Sequence, residues 1–351
     1  MSPKLRIQTL VCCLFFGIST MAVMLVYSAN KMIVIADVAQ DAADAQKDGQ
    51  EEESADSAGT DVKRLLLQEE EDRTNYLCIP LPAGLKAEKI QIENRYMEKQ
   101  LWVFLQDIPG NFYETRAVSG NFSQVASGAL EYKSQGICLK FELTDVYEYK
   151  SILENDFLYI EFVAPREIYD KIVVIDAGHG GEDRGWENEE LTEKEIALDI
   201  VKKLKEKLDG TQIKVYYTRM GDENPTEAER IYLANTVKAD MFISIHVNFD
   251  KDSDLYGTET FYNASFFIPG FGSVELADTL EREVVTGISG KGNGIFEAEA
   301  ECFSLQNASV PAALLKAGYL SNKQEALLLG REDYRQRIAD GIYQAILKAY
   351  E

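Results

Sequence analysis

Apolar positions recur at two different periods along this 351-residue chain, and the change of period divides it. From about Tyr76 to Glu167, short alternating runs dominate: KIQIEN, LWVFLQD, ICLKFEL and FLYIEFV, separated by Gly, Asn, Pro or Asp. Alternation at period two turns one face of each run toward a core, which predicts a small all-β, sandwich-like domain over residues 76–167. From Lys171 the pattern changes. KIVVIDAG, QIKVYYTR, ADMFISIH, GTETFYN, IFEAEAECF and PAALLKAGYL read as strands. Residues 193–208, TEAERIYLANTV, a segment near 273–286 and DYRQRIADGIYQAILKAY read as helices, the first with Ala197, Val201, Leu204 and Leu208 on one face. Strands alternating with helices at this spacing predict an α/β domain over 171–351, a largely parallel sheet flanked by helices.

A third texture precedes both. Lys4 and Arg6 lead into an uncharged run from Ile7 to Asn30. That length suits a membrane helix better than the shorter core of a cleaved signal peptide. The basic start and the acid that follows predict residues 1–6 inside the cell, a signal-anchor over 7–30, and the bulk of the chain outside. Single-pass attachment to the cell membrane is therefore expected, with cleavage near Ser28-Ala29-Asn30 and secretion as the alternative. Residues 31–75 contain DAADAQKDGQEEESADSAGTD, with no apolar period before RLLLQEEE, and read as a disordered, self-repelling spacer. This tract carries much of the net charge of −23, which argues against a nucleic-acid partner. No feature identifies a protein partner. Cys78, Cys138 and Cys302 lack metal-ligand spacing. In an exported chain Cys78 and Cys138 form a candidate disulfide; two buried thiols in neighbouring strands are the alternative.

The chain has only two histidines, and both close apolar strand-like runs: IVVIDAGHGG ends at His179 and its glycines, and MFISIHVN contains His246. Glycines around His179 permit a sharp turn, and strand ends are where ligands collect in open α/β sheets. Thr192 and Glu195 have the T-x-x-E spacing of a capping box, which sets Glu193 at the first helical position. Two imidazoles and a carboxylate are the ligand set of an open zinc site. The duller reading makes His179 a turn residue, His246 a satisfied core histidine and Glu193 a complement to the helix dipole.

In combination, IDAGHGGEDRG, LTEKEIAL, YYTR, ERIYLAN, ADMFISIHVN and AGYLSNKQEALLL resemble the Amidase_3 family, the zinc-dependent N-acetylmuramoyl-L-alanine amidases. The resemblance covers residues 171–350. It implies a sheet-centred α/β fold, peptidoglycan as partner and substrate, and cleavage of the amide between the muramic acid lactyl group and L-alanine. It also implies one Zn2+, held by His179, Glu193 and His246. Arg219, Arg230 and Asn235 match the family pattern as scaffold residues. In the family a glutamate handles the proton in a segment of the form PA-x-LVE-x-GFLSN; here PAALLKAGYLSN puts Lys316 in its place. A protonated lysine cannot accept a proton, so Lys316 acts as base only if neutral. Glu297, Glu299 and Glu301 alternate along one expected strand and offer replacement acids, although a solvated strand face is the simpler reading. Three functions remain open: a working amidase, an impaired amidase acting as an anchored cell-wall-binding or regulatory module, and a zinc peptidase acting on the stem peptide. The β domain weakly resembles AMIN-type modules that bind envelope polymers; a spacer without a ligand is the alternative.

Overall fold

The computed structural model describes residues 62–69, 76–188, 190–264 and 269–351. The expected signal-anchor and residues 31–61 of the expected spacer lie outside the described residues. Among the described residues, no helix is long and apolar enough to cross a membrane. The chain divides between Val163 and Ala164 into two compact units.

The described residues of the first unit form ten strands: β1 (Val62–Arg64), β2 (Leu67–Glu69), β3 (Tyr76–Pro80), β4 (Ile90–Arg95), β5 (Gln100–Gln106), β6 (Val118–Gly120), β7 (Val125–Lys133), β8 (Gly136–Leu143), β9 (Glu148–Glu154) and β10 (Phe157–Val163). They form two five-stranded sheets, ordered β1-β7-β8-β5-β4 and β2-β6-β3-β10-β9. One core draws from both, with Ile92, Val103, Leu139 and Phe141 from the first and Leu77, Ile79, Leu158 and Ile160 from the second. The spacer ends earlier than its composition predicts. Leu65 is buried in this core and Leu67 packs against it, so the RLLLQEEE stretch contributes β1 and β2 instead of tether. Cys78 and Cys138 are free, buried thiols. They sit in different sheets, on β3 and β8, not in neighbouring strands.

The second unit begins with a short helix, α1 (Pro165–Ile168), and alternates from there. Its strands are β11 (Ile172–Ala177), β12 (Lys214–Tyr217), β13 (Met241–Asn248), β14 (Thr258–Tyr262), β15 (Gly292–Glu297) and β16 (Ala312–Tyr319). Its longer helices are α2 (Glu193–Leu208), α3 (Glu227–Thr236) and α4 (Ser273–Ile288), followed by α5 (Phe303–Gln306), α6 (Lys323–Leu329) and α7 (Glu332–Ala349). The six strands form one sheet, ordered β12-β11-β13-β16-β14-β15. All pairings are parallel except β14 with β16. Alternate residues of the central strands, Ile175, Ile243, Ile245 and Leu315 among them, face a core with Ile200 and Leu204 of α2, Leu280 and Val284 of α4, and Ile338 and Ile342 of α7. Because successive strand residues point to opposite faces, Asp176, Ser244, His246, Leu314 and Lys316 share the other face. That face carries the candidate site. IFEAEAECF is strand only as far as Glu297; Glu299 and Glu301 lie beyond β15, so the three acids do not share one strand face. All three are solvent-exposed, Glu297 at the end of the edge strand and the other two in the segment that follows.

Candidate metal centre

β11 delivers His179 through Ala177 and Gly178, and His179 itself adopts a left-handed φ of 60°. β13 is hydrogen-bonded directly beside β11, and His246 lies near its C-terminal end. Glu193 is the first residue of α2, as the motif predicts. The expected capping box is not formed there: the Thr192 hydroxyl donates to the Glu195 carboxylate at 2.7 Å and makes no bond to the helix backbone. The Glu193 N–H donates instead to the Trp186 carbonyl at 2.8 Å. A reciprocal capping box does form at Thr226 and Glu229, opening α3.

These three elements converge. One nitrogen of each imidazole and one Glu193 oxygen all lie within 4.8 Å of one another. His179 Nε2 is 3.1 Å from Glu193 Oε2, and His246 Nδ1 is 2.9 Å from Glu193 Oε1. Two imidazole nitrogens and a carboxylate oxygen are donor types that suit zinc, and each imidazole approaches a different oxygen of Glu193. Glu193 is 2% exposed, whereas the histidines keep 23% and 19%. The carboxylate thus forms the floor of a site open on one side. Its oxygens also accept the N–H groups of Trp186 and Val247 at 2.9 and 3.1 Å, which fixes their direction. Burial alone would raise the Glu193 pKa, but hydrogen bonds and charge from His179 and His246 more than offset it and hold the carboxyl far below the usual range. Burial pulls His179 down, yet its bonds to Glu193 and Asp183 leave it raised. Asp183 Oδ2 lies 2.8 Å from His179 Nδ1 and leaves Nε2 toward Glu193, the outer contact that typically orients a metal-bound imidazole.

Two glycines make room for the trio. A Cβ on Gly178 would lie 2.2 Å from His246 Cε1, and one on Gly185 2.6 Å from Glu193 Oε2 and 2.8 Å from His179 Nε2. A cavity of about 300 Å³ extends from the two imidazoles past Ser244 and Asp176 to Ser304. Behind it, buried Asp176 accepts from Arg230 at 2.7 Å and Ser244 at 2.6 Å. Arg230 also donates to the carbonyls of Ala177 and His179, and Arg219 to those of Ala177 and Gly178. Asn235 ties α3 to the segment after α5 through Asn307 and Ser309. These three residues brace backbone, and none belongs to the trio.

Lys316 lies beside His246 across the β13–β16 pair and opposite Glu259 across β16–β14. Its Nζ is 3.4 Å from Asn248 Oδ1 and 4.9 Å from the Phe261 ring centre. Glu259 accepts from Asn248 at 2.8 Å and from the Tyr319 hydroxyl at 2.6 Å. Sequence reading passed over Glu259, since only the strand order places it against Lys316. Asp183 had a local signal, its position four residues after His179.

The family model for N-acetylmuramoyl-L-alanine amidases, Amidase_3, matches residues 173–348, half of the chain. The chain belongs to this amidase family. The amidase domain is 33% identical over 188 residues to the Bacillus subtilis (strain 168) protein YqiI, whose function is uncharacterized, covering 54% of this chain and 89% of that one. It is 29% identical over 196 residues to a germination-specific N-acetylmuramoyl-L-alanine amidase of the same organism, covering 51% and 80%. Among solved structures, an N-acetylmuramoyl-L-alanine amidase from Clostridium difficile 630 shares 35% identity at a TM-score of 0.47, covering 51% of this chain and 95% of that one.

Proposed function

We propose that the amidase domain hydrolyses peptidoglycan at the amide between the muramic acid lactyl group and L-alanine, using one zinc ion held by His179, Glu193 and His246. The observation that carries this reading is the convergence of those three side chains from β11, α2 and β13 in a chain of this family. When bound there, zinc supplies a water with a pKa near about 7 and polarises the substrate carbonyl. The chain's own residues do the rest. Asp183 holds the His179 ring, the N–H groups of Trp186 and Val247 hold Glu193, and Gly178 lets the His246 ring lie flat against the backbone. Proton transfer falls to Glu259, the carboxylate paired directly against Lys316, with Asn248 and Tyr319 setting its orientation.

Lys316 at the position of the family's glutamate favours a second reading: an impaired amidase that binds zinc and peptidoglycan as an anchored wall-binding or regulatory module. Loss of a general base costs roughly 10²–10⁴-fold in rate. We extend the proposal to the rest of the chain: residues 7–30 tether it to the cell membrane, and the β unit is an AMIN-like module for an envelope polymer.

The purified chain is expected to hold one zinc, and His179→Ala to abolish uptake; a folded wild-type chain that takes up no zinc removes the site. Peptidoglycan hydrolysis separates the two readings. Wild-type turnover that falls roughly 10²–10⁴-fold in Glu259→Gln supports the working amidase. Turnover appearing only in Lys316→Glu supports the impaired one.

A further inference from the structure

We propose that Trp186 and Phe249 form a sugar-stacking platform, which holds the muramic acid ring while the lactyl amide lies at the His179–Glu193–His246 trio. The inference rests on the amidase reading above and names the part of the substrate that the site grips.

The two rings stack, with centres 4.7 Å apart and planes 12° from parallel. Trp186 is nonetheless 50% exposed and belongs to neither core. A large aromatic residue held open at this cost in apolar exposure is a binding anchor more readily than a packing element. The platform is also tied to the metal ligands. Trp186 exchanges backbone hydrogen bonds with Glu193, its N–H donating to Oε2 and its carbonyl accepting from the Glu193 N–H. Phe249 follows His246 by three residues, and its N–H donates to the Asn248 side chain at 3.0 Å. Gly185, immediately before Trp186, abuts both His179 and Glu193. The stacked pair therefore keeps a fixed position beside the trio.

Substrate chemistry supplies the occupant. In muramic acid the lactyl ether leaves the sugar ring at C3, so three covalent bonds separate the ring from the amide carbonyl carbon, at most about 4 Å. Whatever holds that carbonyl at the trio holds the sugar ring next to it. A pyranose presents a face of C–H groups that packs on an aromatic face and a rim of hydroxyl and acetamido groups that needs polar partners. The exposed residues next to Trp186 along its loop are polar: Arg184 and Glu187, which pair at 2.6 Å, and Asn188. An exposed aromatic face in a polar loop suits a sugar better than an apolar peptide side chain.

The chain's only tryptophans are Trp102 and Trp186, so Trp102→Phe makes Trp186 the sole indole reporter. The zinc-loaded full chain is titrated with N-acetylmuramoyl-L-alanyl-D-isoglutamine and with the D-lactyl-L-alanyl-D-isoglutamine that lacks the sugar, each with its lactyl–alanine amide replaced by an uncleavable ketomethylene. The sugar-bearing ligand is expected to change Trp186 emission. Trp186→Ala and Phe249→Ala are each expected to weaken it at least 10-fold by calorimetry, with zinc uptake retained and lactyl-peptide affinity held within about 2-fold. Equal weakening of both ligands would show that the platform grips peptide and overturns the proposal, as does unchanged affinity for both in the two variants. Zinc-loaded wild type that binds neither ligand overturns the amidase reading itself, and the platform with it.

Discussion

Gly178 shows how much of this site depends on a missing atom. A Cβ there would fall 2.2–2.6 Å from three atoms of the His246 ring, closer than real Cβ contacts come, so Gly178→Ala must displace the imidazole or the backbone beside it. Shifting a ligand's support typically costs 10–100-fold in metal affinity. Gly178→Ala is expected to weaken zinc binding by about that factor, read by competition with a chromophoric chelator. An unchanged affinity would mean that His246 is not a ligand in the geometry described. Three residues of the site were legible residue by residue, because each stands at a local boundary: His179 and His246 at strand ends and Glu193 at a helix start. Glu259 was not, since nothing in GTETFYN distinguishes its carboxylate from the many others until β14 is set against β16.

At the scale of elements, α3 is held to the sheet by a buried ion pair, Arg230 with Asp176 of β11. Burial by itself would raise the Asp176 pKa; the Arg230 charge and the bonds from Ser244 and Thr218 outweigh it and leave the carboxyl lowered. A carboxyl lowered in the folded state stabilises the fold fully above its unfolded pKa, about 3.9, and loses that contribution as pH falls toward the folded value. Removing one partner strands the other's charge, so Arg230→Ala is expected to cost about 3–5 kcal/mol in urea unfolding. The difference between the variant and the wild type should shrink as pH falls below about 3.9, because the wild-type carboxyl then loses its advantage while Asp176 without Arg230 sheds its stranded charge by taking up a proton. A loss within 0.5 kcal/mol would mean that the pair does not brace α3. The two T-x-x-E motifs carry a related lesson: the same spacing makes a capping box at Thr226 and not at Thr192. At Thr192 the hydroxyl reaches only the Glu195 carboxylate and caps no backbone N–H.

For the whole molecule, the division at Val163 gives each unit its own core and its own tryptophan, Trp102 in β5 and Trp186 in the amidase domain. A ligand that binds only the folded state stabilises the unit that holds it, by about 2.7 kcal/mol at one hundred times its Kd. Zinc is expected to raise the unfolding midpoint reported by Trp186 in Trp102→Phe and to leave that reported by Trp102 in Trp186→Phe unmoved. Parallel shifts of both would make the two units one cooperative system. The sequence alone determined the class of each unit, the period of its strands and helices, and the three residues of the trio, because hydrophobic period and boundary residues act over a few neighbours. It misread the start of the β unit, where two leucines in an acidic stretch are too weak a local signal until a core exists to take them. Strand order and loop path are set by contacts between residues far apart in the chain, and only the tertiary structure supplied them. Those contacts put Glu259 against Lys316 and Trp186 on Phe249, and they bring the side chains of His179, Glu193 and His246 together from three separate elements.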